Sequence, residues 1–279
     1  MPEGPEVRVV ADAVAKAKNL IFEGASIIEN VPGAVHRYSR ELPNNWSVIS
    51  QHRWQLKNVR TKGKLIIFDI EMCESKEPWV LLTTLGMSGD YRFNSSGHKH
   101  CRFSFLRANG GDLSFIDARC FGTLRVVTPE EARKLEAKVG WDLLQAPMDK
   151  NRWQEIQKHS KIKDQEIKVA LLDQSLFSGL GNIYVAETLY EVGIDPRRIV
   201  SKIDADKWAE INLTAHTILQ KAYALNGSSV KDYTFDGKKG NAQTILKVYG
   251  RKHCPKGHQV QSFEQEGRTT WWVPEIQKH

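Results

Sequence analysis

Near residue 130 the spacing of the apolar residues changes from that of short strands to that of helices, and this change constrains the fold more than any other feature. Before it lie short runs that are β-branched, aromatic or otherwise apolar: KLIIFDI (64–70), WVLLTTLGM (79–87), HCRFSFL (100–106), DLSFID (112–117) and GTLRVV (122–127). After it, segments with helical spacing cover residues 151–159, 165–174, 183–192 and 204–225. Several short strands followed by helices predict an α+β protein whose first domain is a β-sandwich or is barrel-like.

A helix is predicted ahead of the strands. Apolar residues recur at helical spacing over residues 5–21. Pro5 fits the first turn of such a helix, because the N–H group that proline lacks has no helical partner at that position. The first few residues are therefore expected to be fixed onto the folded body.

Local signals mark the ends of other elements. The run Thr128-Pro129-Glu130-Glu131 is typical of a capping box with proline at the first helical position, and Gly140 is expected to end that short helix. Gly193 stands where the C-cap of the 183–192 helix is expected. The run Asn109-Gly110-Gly111 predicts a hairpin turn between two of the strands.

These signals divide the chain into successive parts. We expect an N-terminal helix and β-sandwich domain over 1–130, a linker with a short helix over 131–150, a helical domain over 151–247 and a terminal hairpin over 248–279. In the last part, QVQSF and RTTWWV flank a turn and predict a two-stranded ribbon. Residues 227–247, rich in Gly, Lys and Ser, predict a surface loop.

The charge favours a polyanionic partner. The formal net charge is +7 and the pI is about 9.1, which points first to nucleic acid and second to a membrane surface. No apolar segment resembles a signal peptide, and none reaches the ~20 residues that a membrane span needs. The four cysteines show no paired spacing, which favours free thiols in a reducing compartment.

Two features suggest phosphate binding, each beside a plainer interpretation. The run SGLGN (178–182) precedes a helix, so Gly181 and Asn182 could place N–H groups and an amide against a phosphate; a tight turn between helices explains the same glycines. Lys64 at the start of a strand and Lys168 within an apolar string stand where lysine is unusual, since most lysines lie on the surface.

Cys254 and His258 of CPKGH form half of a zinc site at most. A structural zinc ion needs four ligands, which typically come as two close pairs, and the sequence beyond this pair reads WWVPEIQ. We therefore predict no metal and no other cofactor. An exposed Arg268 on the terminal hairpin could bind phosphate, although a solvated arginine is the more ordinary reading.

Six motifs occur in order: MPEGPEV, TKGK, LGMSGDYRF, DARCFG, the block at 171–198 and VYGRK. Together they resemble the formamidopyrimidine-DNA glycosylase / endonuclease VIII family of base-excision-repair enzymes, from residue 2 to about residue 277. The resemblance implies an N-terminal β-sandwich behind a helix, then a helix–two-turns–helix domain that ends in a β-hairpin finger. It also implies damaged DNA as the partner of a monomer, in the cytoplasm or nucleoid of a prokaryote or the nucleus of a eukaryote.

The resemblance assigns catalytic roles near the N-terminus. Pro2, freed by removal of Met1, matches the nucleophile, a secondary amine that attacks C1′ of the damaged nucleotide. Glu3 matches the general acid and base, and Lys64 a strand lysine that contacts phosphate and assists catalysis. Glu6 matches a further acid near the lesion, although a carboxylate there also favours the helix N-terminus.

Other positions match groups that hold the DNA. Lys168, Gly181 and Asn182 match positions that grip phosphates beside the flipped nucleotide, and Arg268 matches the finger arginine that contacts lesion phosphates. The triad that fills the void left by the flipped base is matched by Met87, Arg119 and Phe121. Without the resemblance, Met87 and Phe121 read as core residues of strands.

In many members of this family, four cysteines bind a zinc ion in the finger. This chain departs from that pattern, because Val273 and Ile276 occupy the places of the last two cysteines. The chain thus resembles the zincless members of the endonuclease VIII branch, in which packing, here from Trp271 and Trp272, replaces the metal.

The sequence therefore predicts a bifunctional DNA glycosylase and abasic-site lyase. Oxidised pyrimidines and formamidopyrimidines are the expected lesions, with oxidised purines of the 8-oxoguanine type as the alternative. A non-catalytic damage binder and a zinc-finger-like module are the hypotheses from other classes. The presence of Pro2, Glu3 and Lys64 argues against the first, and the missing metal ligands argue against the second.

Overall fold

The structure is a computed structural model that describes residues 2–28, 41–228 and 240–278. It divides into two compact units. Unit 1 contains Pro2, residues 6–28 and 41–138, Ser228 and Gly240, and unit 2 contains residues 3–5, 139–227 and 241–278. The predicted loop 227–247 thus falls partly, at 229–239, outside the described residues.

The elements are numbered here in chain order. The helices are α1 (Gly4–Val14), α2 (Trp46–Ser50), α3 (Pro129–Glu136), α4 (Lys150–Gln157), α5 (Ile167–Leu171), α6 (Asn182–Glu191) and α7 (Ala205–Ala224). The strands of unit 1 are β1 (Ile21–Ile27), β2 (Trp54–Lys62), β3 (Leu65–Met72), β4 (Pro78–Thr84), β5 (Gly89–Phe93), β6 (Cys101–Arg107), β7 (Asp112–Asp117) and β8 (Thr123–Val127). Unit 2 has the short strands β9 (Trp141–Asp142) and β10 (Phe177–Ser178) and the hairpin β11 (Gln261–Gln265) and β12 (Arg268–Trp272).

Unit 1 is built on one antiparallel sheet with the order β5-β7-β6-β1-β2-β3-β4-β8. The five predicted strands are confirmed as β3, β4, β6, β7 and β8, and the predicted hairpin turn joins β6 to β7 with Gly110 and Gly111 at positive φ. The sequence analysis missed β1, β2 and β5. The run WQLKNVRTK of β2 is mostly polar, so its sequence does not indicate a strand. Its pairing with β1 on one side and with β3 on the other stabilises the strand conformation.

The sheet closes over its own core. The hydroxyl of Tyr91 on β5, at one end of the strand order, donates to Thr83 Oγ1 on β4 near the other end, at 3.1 Å. The Tyr91 ring also lies 5.4 Å from the ring of Phe68 on β3. Strands that are far apart in the sheet order can touch only if the sheet curves round, so the sandwich or barrel-like prediction is confirmed.

The first helix is shorter than predicted. It ends at Val14, and a 3₁₀ turn over Ala15–Ala17 follows instead of helix up to residue 21. Asn19 adopts φ of 68°, and its N–H donates to the carbonyl of Leu56 on β2. This left-handed residue turns the chain into β1, so the apolar residues after Val14 continue the core as a strand.

The capping box at the start of α3 is confirmed. Thr128 Oγ1 accepts from the N–H of Glu131, whose carboxylate accepts from the Thr128 N–H. The predicted end at Gly140 is wrong, because α3 ends at Glu136. Gly140 instead donates its N–H to Gln174, and a Cβ on it would lie 2.4 Å from the Leu176 backbone, so close approach explains this glycine.

Unit 2 packs its helices around paired tryptophans. The rings of Trp153 on α4 and Trp208 on α7 stack at 4.8 Å, and each indole N–H donates to the other residue's carbonyl. The predicted 165–174 helix is reduced to α5. Gly193 does follow the end of α6 as predicted: its φ is 72°, and the Ile194 N–H donates to the Leu189 carbonyl, as in a Schellman motif.

The terminal hairpin is confirmed, and it rests on an apolar cluster. Val273 and Cys254, both buried, pack with Val248 and Tyr190, and Trp271 and Ile276 lie against them. Trp272 does not join this cluster; its ring lies under the guanidinium of Arg197, at 4.4 Å. Among the described residues, no group of three or more His, Cys, Asp or Glu is placed to hold a metal ion.

Truncation of the finger core should destabilise unit 2. Val273→Ala removes two buried methyl groups, so we expect a loss of about 1–3 kcal/mol in unfolding free energy, measured by thermal denaturation. Incubation with EDTA should leave the melting temperature of the wild type unchanged. A fall of several degrees in the melting temperature with EDTA, reversed by added zinc, would contradict the view that the apolar cluster stabilises the hairpin.

No helix within the described ranges is both long and apolar enough to cross a lipid bilayer.

Candidate active site

Glu3 sits at the start of α6, far along the chain from its own position. Its carboxylate is buried and accepts hydrogen bonds from the N–H groups of Ile183 at 2.9 Å and Tyr184 at 3.3 Å. These first-turn N–H groups have no helical partner, and the helix dipole favours negative charge there. The sequence expected this helix start to bind phosphate; those two donors are instead occupied by Glu3.

The glycines of SGLGN shape this position, which we call the Glu3 socket (Gly179, Gly181 and the N–H groups of Ile183 and Tyr184). Gly4 donates its N–H to the Gly179 carbonyl at 2.8 Å. A Cβ on Gly181 would lie 2.3 Å from Glu3 Cδ and 2.4 Å from Glu3 Oε1. Only glycine therefore leaves room for the carboxylate, and Gly181 positions Glu3.

Asn182, the first residue of α6, is tied to the terminal hairpin. Its amide Nδ2 donates to the Thr269 carbonyl at 2.8 Å. Its Oδ1 is buried. The side chain thus joins α6 to β12, two of the elements of unit 2 that carry predicted phosphate contacts.

Lys168 is another buried charged residue of unit 2. Its Nζ donates to Thr270 Oγ1 at 2.7 Å, and Thr270 in turn donates to Gln265. Burial and, after it, the positive charge of Arg268 lower the pKa of Lys168 to about 8, and the carboxylate of Glu166 acts in the opposite direction.

The site residues of unit 1 form two further groups. Pro2 is buried, and Glu6, also buried, accepts the N–H of Ser228 at 2.6 Å. Lys64 is half-buried in the turn between β2 and β3, one residue before the strand in which it was predicted. Lys62 donates to the carbonyl of Glu136, which is a structural role.

Met87, Arg119 and Phe121 are not core residues. Arg119 and Phe121 are exposed, Phe121 to 54%, and Met87 is half-exposed. The Arg119 guanidinium lies 5.7 Å from the centre of the Phe121 ring. An exposed phenylalanine stacked with arginine is unusual for a strand end and typical of a group that meets a partner.

Sequence reasoning missed several residues that hold these groups. The N–H groups of Ile183 and Tyr184 and the hydroxyl of Thr270 had no sequence signal, since a backbone donor or a strand hydroxyl looks the same wherever it occurs. Asp117 begins the DARCFG motif, but the sequence analysis assigned no role to its carboxylate. Gly181 was found, for a different reason than the one that the structure reveals.

The comparisons with known proteins agree with this geometry. Residues 1–124 match the family described as the formamidopyrimidine-DNA glycosylase N-terminal domain, and residues 142–234 match its H2TH domain. A formamidopyrimidine-DNA glycosylase of Gluconobacter oxydans is 32% identical over the full length of both chains. The chain belongs to the formamidopyrimidine-DNA glycosylase family. The predicted α+β fold and the predicted class, a DNA glycosylase with abasic-site lyase activity, are thereby confirmed.

Solved structures of the family cover the whole chain as well. A Lactococcus lactis formamidopyrimidine-DNA glycosylase variant, in complex with DNA that contains Fapy-dG, matches with a TM-score of 0.83 at 26% identity and covers 100% of both chains. A MutM protein, in complex with DNA that contains carbocyclic 8-oxo-G, matches with a TM-score of 0.82 at 25% identity and equal coverage.

The low pKa of Lys168 predicts pH-dependent DNA binding. With a pKa of about 8, the free protein loses this charge as the pH rises from 7 to 9, so affinity for a duplex with a tetrahydrofuran abasic analogue should fall about tenfold. In Lys168→Arg, which stays charged, the fall should be much smaller, and Lys161→Met should behave as wild type. Equal pH dependence in wild type and Lys168→Arg would contradict the assignment.

The lowered pKa of Lys168 also makes the stability of the protein depend on pH. The unfolded lysine keeps its proton up to a pKa near 10.5, whereas the folded one loses it at about 8. Between these values the unfolded state binds more protons, so the contribution of Lys168 to stability rises with pH in that window.

Proposed function

We propose that this family member excises oxidised bases from damaged duplex DNA through a Schiff base on Pro2 and then nicks the strand by β- and δ-elimination. The observation that carries the proposal is the Glu3 carboxylate, buried on two backbone N–H groups and joined by one peptide bond to the nucleophile. Because Glu3 directly follows Pro2 in the chain, its carboxylate is a suitable group to accept and return a proton in the reaction of the proline nitrogen.

The chemistry starts once Met1 has been removed. An α-amino group has a reference pKa of about 8, so part of Pro2 is neutral at pH 7. Its nitrogen attacks C1′ of the damaged nucleotide and forms a C–N bond as the glycosidic bond breaks. The base leaves with the electron pair of that bond and takes up a proton from water, and the proline nitrogen loses its own proton to Glu3. Glu3 then gives that proton to the ribose ring oxygen as the C1′–O bond of the ring breaks, and the nitrogen lone pair forms the C=N bond of the iminium at C1′.

The iminium makes the C2′ protons acidic. Loss of one C2′ proton expels the 3′ phosphate by β-elimination, and a second proton loss expels the 5′ phosphate by δ-elimination. Glu3 is the proton acceptor that we assign to these steps, and Lys64 is assigned to a phosphate beside the lesion. Hydrolysis of the iminium finally frees Pro2 for another turnover.

The other site residues hold the DNA in this proposal. Lys168, Asn182 and Arg268 bind phosphates next to the flipped nucleotide; the mutual repulsion of Lys168 and Arg268 and the Asn182 amide on the hairpin support this role. Phe121 and Met87 fill the space that the base leaves, and Arg119 faces the orphaned base; their exposure supports this role. Glu6, bonded to Ser228, lies near the lesion.

Formamidopyrimidines are the first lesion class that we propose. The relatives described above bear the formamidopyrimidine-DNA glycosylase name, and one solved neighbour holds Fapy-dG. Oxidised pyrimidines, the other lesion class expected from the resemblance, are supported by the sequence alone. Purines of the 8-oxoguanine type are the alternative, and the MutM complex supports it. The proposed place of action is the compartment that contains the cellular DNA, which is the nucleoid in a bacterium.

Borohydride trapping tests the proposal. The mature protein, incubated with a duplex that contains an abasic site and then reduced, should form a covalent protein–DNA complex. The complex should be lost when Met1 is retained and strongly reduced in Pro2→Gly, because the first has an amide at Pro2 and the second a weaker nucleophile. DNA binding without any trapped complex from correctly processed protein would instead support a non-catalytic damage binder.

A further inference from the structure

The loop that carries Arg119 and Phe121 is fixed by one buried carboxylate. Asp117, the last residue of β7, is 1% exposed. Its Oδ1 accepts from the Ser88 hydroxyl at 2.6 Å and from the Arg119 N–H at 3.1 Å, and its Oδ2 accepts from the Gly122 N–H at 2.8 Å. The two ends of the loop are therefore bonded to the same side chain.

A buried arginine supports this carboxylate residue from the neighbouring strand. Arg102 on β6 is 1% exposed, an unusual place for a guanidinium. Its Nε donates to the Asp117 carbonyl at 2.6 Å and its Nη2 to the Ala118 carbonyl at 3.4 Å. These carbonyls lie where the chain leaves the sheet for the loop, so the direction of departure is fixed as well.

The Met87 turn is joined to the same assembly. Ser88, the next residue, accepts the Arg119 N–H at 2.9 Å while it donates to Asp117. On the other side of Met87, a Cβ on Gly86 would lie 2.5 Å from the Phe121 backbone. The two segments that carry the exposed triad are thus held in one arrangement by Asp117, Ser88 and Arg102, which we call the Asp117 clasp.

Exposed side chains that enter a duplex need such a support. Filling the void requires unstacking, which costs a few kcal/mol, and side chains on a loose loop would also lose conformational freedom on insertion. The half-exposed and exposed triad has little packing of its own to fix it. Its geometry must come from the backbone beneath it, and the hydrogen bonds of the clasp act on that backbone.

We propose that Asp117 and Arg102 are positioning residues that hold the Met87, Arg119 and Phe121 wedge ready for insertion, and that they thereby set the efficiency of base flipping. The inference rests on the proposed function, since it concerns the same reaction. It differs in what it predicts: loss of the clasp impairs insertion into duplex DNA and leaves the nucleophile intact.

The test separates insertion from chemistry. A duplex with tetrahydrofuran opposite 2-aminopurine reports insertion by fluorescence without any reaction. At saturating protein, Asp117→Asn and Arg102→Met should lose most of the fluorescence change seen with wild type, and Arg102→Lys should retain part of it. Excision of a formamidopyrimidine should slow by about tenfold or more in Asp117→Asn, while trapping on a preformed abasic site should change less than about threefold.

Asp112→Asn is the matched control. Asp112 begins β7, is buried and is bonded to Ser95, Ser96 and Ser114, away from the loop. The Asp112→Asn variant should match wild type in the fluorescence change and in the ratio of the excision rate to the trapping rate, even if its melting temperature is lower. If Asp117→Asn does not fold, Ser88→Ala removes the two hydrogen bonds that the Ser88 hydroxyl makes to Asp117 and Arg119 and should shift both readouts in the same direction.

Two results would overturn the inference. One is a wild-type fluorescence change and excision rate in Asp117→Asn and Ser88→Ala. The other is an equal fall of excision and trapping that Asp112→Asn shares, which indicates general destabilisation. Failure of the proposed function looks different, because the wild type would then give no trapped complex although the fluorescence could still respond.

Discussion

Glu3→Gln is expected to lower the rate of base excision by about 10³-fold, the range typical of a lost general acid and base. The oxygen of the new amide can still accept the Ile183 N–H, but its NH₂ group then faces the Tyr184 N–H. Two hydrogen-bond donors therefore point at each other, and the Tyr184 N–H loses its acceptor. We expect a stability loss of about 1–2 kcal/mol from this opposition, too little to explain the rate. Single-turnover excision and thermal denaturation measure the two effects.

The control for this substitution is Asp142→Asn. Asp142 is also a buried carboxylate of unit 2 that accepts a backbone N–H, from Leu144. It should lose similar stability and keep its excision rate within about threefold of wild type. A Glu3→Gln rate within tenfold of wild type would remove Glu3 from the chemistry.

Gly181→Ala is expected to lower excision by about 10²-fold through Glu3 rather than through the backbone. The backbone at Gly181 is extended, with φ of −140°, so alanine is not strained there. Its Cβ would lie 2.3 Å from Glu3 Cδ, and the buried carboxylate has to leave the Glu3 socket. The first-turn N–H groups then lose their acceptor, and the proton acceptor of the reaction is displaced.

A shorter carboxylate should relieve this clash. Glu3→Asp alone should be slow, because its oxygens fall short of the Ile183 N–H. In the double variant with Gly181→Ala, the added methyl group occupies space that Asp leaves empty, so the two losses should be less than additive. Gly97→Ala, where no atom lies within 4 Å of the added Cβ, is the neutral control. Strictly additive losses would indicate that Gly181 acts independently of Glu3.

The places where sequence reasoning failed share one cause. The first helix ends at Val14 because Asn19 bonds to Leu56 on a strand that the sequence did not reveal. Gly140 looked like a helix cap, and its real constraint is the backbone of Leu176. In both cases a residue distant in the chain decides the local structure, which propensity and periodicity do not record.

The prediction for the finger has a mixed outcome. The presence of Val273 and Ile276 at two ligand positions predicted apolar packing, and both residues do lie in or against the buried cluster with Cys254. Of the two tryptophans expected to supply the packing, Trp271 does so, whereas Trp272 stacks with Arg197. On a strand, neighbouring side chains point to opposite faces, so only one of the pair can reach a given core.

The sequence by itself determined five strands of unit 1, the change to helices after them, the capping box of α3, the glycine end of α6 and the family, because each depends on short-range spacing or on motifs in the chain. It also placed a proline where removal of Met1 makes it an amine. Only the tertiary structure decided that Glu3 rests on N–H groups 180 residues away, that Lys168 is buried beside another cation, and that Asp117 and Arg102 hold the exposed loop. These are contacts between distant residues, whose energies come from burial and geometry that only the folded chain creates.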